Sequence, residues 1–242
     1  MKSKLIIFTA FLVMWIFPCS HGLFQLSAKE KSLTLKTVVI DAGHGGHDPG
    51  GVSTDRKTYE KNLTLDIAKR LGQKIKEKYP DVKVVYTRTT DVYVTLNDRA
   101  TIANKNNADL FISVHTNAST STSAHGTSVH VLGQSSRPDR DLYAGNLNVC
   151  KRENSVILLE EDYSTTYQGF DPNSPESFIL FNLMSSSHFE NSIVFAEHVD
   201  REMRKSQFTI SGYTGIHQDP FWVLWRTSMP AGRRGGTIRQ ES

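Results

Sequence analysis

The sequence is poor in cysteine, since its 242 residues include only Cys19 and Cys150. If residues 1–22 are removed as a secretory signal, Cys150 alone remains, and no intrachain disulfide can form. The sequence therefore excludes the small disulfide-stapled class of exported proteins. An exported protein without a disulfide depends on its hydrophobic core, and on a metal where one binds, for its stability.

An excess of charge of either sign is also missing. The chain has 28 lysines and arginines against 25 aspartates and glutamates. Two of the lysines lie in residues 1–22, which hold no acidic residue, so the remainder is close to neutral. Nucleic-acid-binding domains concentrate basic residues on one face or one helix. We therefore expect no nucleic-acid partner.

No apolar run is long enough to span a membrane. Leu5–Phe17 is apolar, but a transmembrane helix needs about 20 such residues. Lys2 and Lys4 precede this run, and the small residues Ser20 and Gly22 follow it. This order is typical of a secretory signal peptide. We predict a signal at 1–22 and export to the periplasm or cell envelope, with an uncleaved N-terminal anchor as the alternative.

After a short polar leader at 23–34, predicted strands and helices alternate. Runs rich in β-branched residues predict strands at 36–41, 82–87, 109–114 and 126–132. Apolar residues at helical spacing predict helices at Glu60–Lys78, Leu96–Asn106 and 188–205. Between 139 and about 190 the pattern loosens into a long insertion, and such insertions are usually functional or mobile. The alternation predicts one α/β domain with a mostly parallel or mixed sheet.

Two histidines directly follow predicted strands. His44 lies in the glycine-rich turn after the predicted strand 36–41. His115 comes directly after the predicted strand 109–114. The carboxyl ends of parallel strands share one edge of a sheet, and Glu60 begins a helix that packs near it. Two imidazoles and one carboxylate form a hydrolytic zinc set that leaves a position for an activated water. We predict His44, Glu60 and His115 as Zn²⁺ ligands; the alternatives are a polar turn cap for His44 and an ordinary first-turn carboxylate for Glu60.

Several motifs in register resemble those of the zinc-dependent N-acetylmuramoyl-L-alanine amidases of bacterial cell walls, the amidase-3 type. They are Ile40–Gly50, Glu60–Leu63, Thr87-Arg88, Leu96, Arg99-Ala100, Ala103-Asn104, Ala108-Asp109 and Phe111–Ala118. The resemblance runs from about Leu35 to Pro230. It implies a catalytic domain at 35–231, with a twisted mixed sheet flanked by helices, and zinc at the positions matching His44, Glu60 and His115. Asn117 follows His115 in the matching motif, and from this position we expect it to orient a ligand or the substrate.

The resemblance breaks down after Ala231. The family places a general-base glutamate on a final apolar strand, roughly of the form Met-Pro-Ala-Val-Leu-Val-Glu. This chain reproduces Met229-Pro230-Ala231 and continues as Gly232-Arg233-Arg234-Gly235-Gly236. We therefore predict that the terminal strand and the catalytic glutamate are missing and that 232–242 is an aberrant polar tail. A frameshift in the coding sequence is our hypothesis for this switch.

The insertion at about 150–175 has a second interpretation through the resemblance. Some family members carry a helix there that occludes the zinc until a partner protein displaces it, and a glutamate reaches the metal. By this comparison Glu160 or Glu161 takes that role, and an activator protein acts on the insertion. The alternative is a surface loop with solvated acidic residues.

Together these features predict a peptidoglycan hydrolase. By resemblance it cleaves the amide between N-acetylmuramic acid and L-alanine of the stem peptide through zinc-activated water, in cell-wall remodelling or daughter-cell separation. One alternative is a catalytically impaired zinc- or muropeptide-binding remnant, because the glutamate is absent. A zinc peptidase that cuts within the stem peptide is another. The sequence carries no signal for oligomeric state.

Overall fold

The computed structural model describes most of the chain from residue 35 onward. The described residues are 35–119, 126–132, 150–167, 170–171, 174, 188–205, 215–219 and 221–239. They belong to one unit, Thr34–Ser242. The predicted signal at 1–22 and leader at 23–34 lie outside the described residues and stay predictions. Within the described residues, no helix combines the length and the apolar character that a membrane span requires.

Six strands form one mixed sheet in the spatial order β2-β1-β3-β6-β4-β5. Their bounds are β1 Thr37–Ala42, β2 Lys83–Tyr86, β3 Leu110–Ser119, β4 Thr127–Val131, β5 Gly215–Gln218 and β6 Ala231–Arg239. The pairs β1–β2, β1–β3, β3–β6 and β4–β5 are parallel, whereas β4 runs antiparallel to β6. The predicted mixed, mostly parallel sheet is confirmed.

Helices flank the sheet, and the three longest described ones lie where the apolar spacing predicts them, whereas the short helices at 163–166 and 222–225 were not predicted. Their bounds are α1 Glu60–Lys78, α2 Leu96–Lys105, α3 Tyr163–Thr166, α4 Phe189–Arg204 and α5 Trp222–Trp225. Residues 150–154 are also helical, and a 3₁₀ turn follows at Ser155–Leu159. The Thr95 hydroxyl accepts a hydrogen bond from the Asp98 backbone N–H and caps the start of α2.

Alternate residues of β1 enter two different cores. Val38 and Ile40 pack on one face of the sheet with Ala68 of α1. Val39 lies on the other face with Phe111 and the α5 segment. Because successive side chains of a strand point to opposite faces, β1 is buried on both sides and holds the edge beyond Ala42 rigidly.

The prediction that the terminal strand is missing is wrong. Residues 231–239 form β6, which pairs with β3 on one side and β4 on the other. The supposed polar tail is therefore largely strand, while 240–242 lie outside the described residues. Strand pairing uses backbone N–H and C=O groups, which a sequence rich in glycine and arginine supplies as well as an apolar one does. The absence of an apolar run after Ala231 therefore did not indicate the absence of a strand.

We expect removal of β6 to destroy the fold, because β6 joins β3 to β4, and both strands would be left with an unpaired edge in the middle of the sheet. A chain truncated after Pro230 should show no cooperative thermal unfolding by circular dichroism. A control chain truncated after Arg239 keeps β6 and should unfold cooperatively. Equal cooperativity in the two truncated chains would contradict an integral β6.

Candidate metal centre

His44 is held in the loop after β1 in an unusual backbone conformation. Its φ is 60°, a left-handed value that non-glycine residues seldom adopt and that functional sites often contain. The His44 Nδ1 lies 2.8 Å from Asp48 Oδ2, which leaves Nε2 directed at Glu60 and His115. Burial opposes its charged form, but the Glu153 charge and hydrogen bonds to Asp48 and Glu60 raise the pKa of His44 to about 10. A metal ion binding at Nε2 must displace that proton.

Glu60 begins α1 and points back into the sheet edge. Its Oε2 accepts a hydrogen bond from the Gly51 N–H at 2.8 Å, and its Oε1 accepts one from the Thr116 N–H at 2.7 Å. The side chain is fully buried. Burial opposes ionisation, but hydrogen bonds to His115 and His44 outweigh it and hold the pKa of Glu60 well below its usual range. The carboxylate is therefore ionised and fixed.

His115 lies at the same edge, on the adjacent strand β3. Its ring packs directly over Gly43, where a Cβ atom would stand 2.3 Å from the ring. This close approach requires glycine in the Asp41–Gly46 turn. Burial and the nearby Arg233 charge lower the pKa of His115 to about 4, so its ring is neutral. A neutral imidazole is the form that binds a metal.

A fourth donor comes from the insertion. Glu153 Oε2 lies 3.4 Å from His44 Nε2 and 3.3 Å from His115 Nδ1. The hypothesis that Glu160 or Glu161 reaches the cluster is wrong. Glu160 instead accepts hydrogen bonds from the hydroxyls of Tyr93 and Tyr167, at 2.8 and 2.7 Å, and Glu161 is exposed.

The insertion is also packed rather than loose. Cys150, Ile157, Tyr167 and Phe170 are buried in the same hydrophobic core as α5. The Trp222 backbone N–H donates to Asn154 Oδ1 at 3.1 Å. These contacts contradict the surface-loop alternative for this part of the insertion and fix the helical turn that carries Glu153.

The four donor atoms lie close enough together to hold one metal ion. His44, Glu60, His115 and Glu153 offer atoms within 4.8 Å of one another. Five of the six distances between His44 Nε2, Glu60 Oε1, His115 Nδ1 and Glu153 Oε2 are 3.1 to 3.4 Å. Ligands about 2.0–2.1 Å from a tetrahedral Zn²⁺ stand about 3.3–3.4 Å apart. Two imidazoles and two carboxylates therefore fit such an ion in number and type, and five of their six separations are close to the tetrahedral value.

Two buried arginines support the loop that carries His44. Arg99 donates to the Ala42 and His44 carbonyls at 2.7 and 2.9 Å and pairs with Asp41 at 2.8 Å. Arg88 donates to the Ala42 and Gly43 carbonyls at 2.9 and 2.7 Å. Burial opposes ionisation of Asp41, but the Arg99 charge and the Ser113 hydrogen bond hold its pKa below the usual value. Charge-assisted hydrogen bonds from the two arginines to its backbone carbonyls thus fix the turn.

The structure brings the three predicted ligands together, and two other candidates, His47 and His130, contact different partners. Asn117 belongs to β3, and its side chain is outside the described part of the chain. The His47 ring contacts the Tyr93 ring at an angle of 36°, with ring centroids 4.1 Å apart. His130 is buried in a second polar group with Ser128 and Asp219. His125 lies outside the described residues.

Sequence reasoning missed Glu153 and Asp48. Asp48 follows His44 by four residues inside the glycine-rich turn, and an acidic partner for a ligand histidine is a recognisable local signal. Glu153 had no such signal, because it lies 38 positions after His115 in a segment without clear periodicity. Only the packing of the insertion on α5 brings it to the cluster.

The chain is similar to known proteins over most of its length. A family profile described as N-acetylmuramoyl-L-alanine amidase matches residues 38–232. N-acetylmuramoyl-L-alanine amidase AmiA of Escherichia coli is 31% identical over 212 residues, which cover 88% of this chain and 68% of AmiA. The protein named "Probable N-acetylmuramoyl-L-alanine amidase AmiB" of Haemophilus influenzae is 45% identical over 96 residues, covering 40% of this chain and 22% of that protein. This chain thus matches only about a fifth of that relative's length.

A solved structure supports the fold. The N-acetylmuramyl-L-alanine amidase Ami1 of Mycobacterium smegmatis superposes with a TM-score of 0.50 at 14% identity, and the match covers 83% of this chain and 81% of Ami1. At this identity the likeness concerns the architecture alone. It agrees with the mixed sheet flanked by helices.

We expect the cluster to bind Zn²⁺ through both histidines. His115→Ala removes one donor and should weaken Zn²⁺ binding by more than about 100-fold, because losing only an outer partner of a ligand already costs about 10–100-fold. Competition with a chromophoric chelator measures the affinity. His47→Ala is the matched control, since His47 contacts Tyr93 and is not one of the four donors of the cluster. Equal losses in the two variants would contradict the assignment.

Proposed function

The chain belongs to the N-acetylmuramoyl-L-alanine amidase family, and from this membership we propose that it hydrolyses the amide between N-acetylmuramic acid and L-alanine in peptidoglycan. The observation that carries the proposal is the cluster of His44, Glu60 and His115 at one sheet edge. These residues lie within the stretch that matches the family, in a buried and preorganised arrangement. We further propose an exported or envelope location, in keeping with a cell-wall substrate.

We propose Zn²⁺ as the metal, held by His44, Glu60 and His115, with Glu153 as a fourth, internal donor. The mixed nitrogen and oxygen donor set suits zinc. Zinc bound there supplies a Lewis acid for a carbonyl oxygen and lowers the pKa of water to about 7. The role of the protein is to fix the donors: Asp48 orients His44, and the Gly51 and Thr116 N–H groups orient Glu60.

The reaction also needs a proton acceptor and donor. Hydrolysis adds a hydroxyl to the lactyl carbonyl carbon, breaks the carbon–nitrogen bond, and transfers the remaining proton of water to the alanine nitrogen. The family glutamate that moves this proton falls at position 235, counted from Met229-Pro230-Ala231. Gly235 pairs in register with His115 and lies on the same face of the sheet. The position is therefore adjacent to the cluster but carries no side chain.

This glycine supports a second candidate function, a zinc- and muropeptide-binding remnant with impaired turnover. Removing a general acid–base group typically costs about 10²–10⁴-fold in rate. The ligands lie upstream of β6, so metal and substrate binding do not depend on the missing carboxylate. The two candidates differ in turnover rather than in the binding site.

The insertion supports a further part of the proposal, control of access by an activator protein. The cleft between the cluster and the insertion has a volume of about 20 Å³, whereas one water molecule needs about 10–15 Å³. A stem peptide therefore enters only after the insertion moves. Glu160, held by Tyr93 and Tyr167, fastens the insertion next to the cluster. We propose that an activator releases this segment.

Restoring the carboxylate should raise turnover. We expect Gly235→Glu to increase the release of stem peptides from purified sacculi by about 10²–10⁴-fold over the unaltered chain. Gly235→Gln has the same size without a base and is the matched control. Mass spectrometry of released peptides and free muramic acid carboxyl groups identifies the bond that is cut. Equal release by the two variants would remove the assignment of position 235, and cleavage within the stem peptide would instead support a peptidase.

Removing the Glu153 carboxylate from the metal cluster should raise stem-peptide release further. In the Gly235→Glu background we expect Glu153→Ala to raise stem-peptide release by about tenfold or more, because it removes the carboxylate that occupies the fourth donor position. Glu161→Ala changes an exposed acidic residue of the same insertion and should leave release unchanged. A Glu153→Ala chain that is folded but no faster would argue against occlusion by the insertion.

A further inference from the structure

Arg233 is a buried cation without hydrogen bonds. It lies in β6 between Ser113 of β3 and His130 of β4 in the sheet register, and its side chain is 1% exposed. None of its three guanidinium nitrogens has a hydrogen-bond partner within the described part of the chain. The guanidinium carbon lies 4.4 Å from the centre of the Phe221 ring. A buried charge with unused donors is costly unless an anion pairs with it.

The anion that now pairs with Arg233 is Glu153. One oxygen of this carboxylate, Oε2, faces His44 and His115. The other, Oε1, lies 3.3 Å from Arg233 and 2.7 Å from Arg152. Glu153 therefore bridges the metal-type donors and a guanidinium, one oxygen to each.

Arg152 and Arg233 belong to different parts of the structure. Arg152 precedes Glu153 on the insertion and leaves with it when the insertion moves. Arg233 belongs to a central strand of the sheet and stays beside His115. After the insertion opens, a fixed guanidinium with unused donors therefore remains next to the cluster, where another carboxylate can replace Glu153.

We propose that Arg233 and the metal cluster form a carboxylate-binding subsite that Glu153 occupies from within the chain, and that in the open protein this subsite takes the lactyl carboxylate of N-acetylmuramic acid. The assignment of this ligand rests on the proposed function, because amide hydrolysis creates that carboxylate. A guanidinium presents a planar fork of donors that matches a carboxylate. The substrate amide is neutral at the same point, so Arg233 favours the product over the substrate and makes the product an inhibitor.

The test uses D-lactate as the probe and lactamide as its uncharged counterpart. Glu153→Ala vacates the subsite, and isothermal titration calorimetry measures both ligands in the Zn²⁺-loaded and chelator-treated protein. We expect D-lactate to bind at least about tenfold more tightly than lactamide, as for charge-assisted hydrogen bonds. Arg233→Met in the same background should abolish the preference. Arg234→Met is the matched control, because this neighbour points to the opposite face of β6, and it should keep the preference.

Equal binding of the two ligands, or a preference that survives Arg233→Met, would overturn the subsite. Should Glu153→Ala fail to fold by circular dichroism, Glu153→Gln keeps the size of the side chain and removes the competing charge, and the same comparisons apply. Absence of stem-peptide release by the Gly235→Glu chain in the sacculus assay, with the lactate preference intact, would remove the proposed function and the product assignment but leave the carboxylate subsite. Stem-peptide release without any lactate preference would remove this inference alone.

Discussion

The parallel pairing of β1 with β3 is the constraint on which the site depends. It sets Asp41 opposite Ser113, and the Ser113 hydroxyl donates to the Asp41 carboxylate at 2.7 Å. The same pairing brings the turn after β1 against the end of β3, so that His44 and His115 meet with ring centroids 4.7 Å apart. A slip of the register by one residue would turn the His115 ring to the other face of the sheet. The donors are thus positioned by the backbone ladder, and the side chains refine the arrangement.

Charge balance is the second requirement of this buried edge. Glu60 and Glu153 place two carboxylates beside His44, and without a metal ion that histidine keeps a proton, with a pKa of about 10. A divalent cation would replace this proton and match the two carboxylates more fully. Charges are also balanced within β1, where the carboxylate of Asp41 pairs with the guanidinium of Arg99 from α2. Fixed, paired charges around a rigid turn are the preorganisation that a hydrolytic site requires.

The sequence was a good guide wherever the signal was local. Strand-forming runs, helical spacing and the glycine-rich turn around His44 predicted the mixed sheet and led to His44, Glu60 and His115 being considered together. It was a poor guide where long-range packing decides. Glu153 reaches the cluster only because Ile157 and Tyr167 pack into the core near α5, and no periodicity marks that contact. Strand β6 was missed because its inner position is fixed by two neighbouring strands, which accept almost any sequence that provides backbone hydrogen bonds.

The departure of β6 from the family pattern and the closure of the site are physically coupled. Alternate side chains of β6 point to the face of the sheet that carries His115, so Arg233 brings a full charge into a buried position. That charge is tolerated because Glu153 lies beside it, and Glu153 is held there in turn by Arg233 as well as by the histidines. The ion pair therefore stabilises the closed form of the insertion beyond what the metal donors alone supply. In a chain with an apolar residue at 233, the insertion would lose this anchor and open at a lower free-energy cost. Under the proposed function, Arg233 thus strengthens occlusion by the insertion, and Gly235, two residues later, stands where the resemblance places the proton-transferring glutamate.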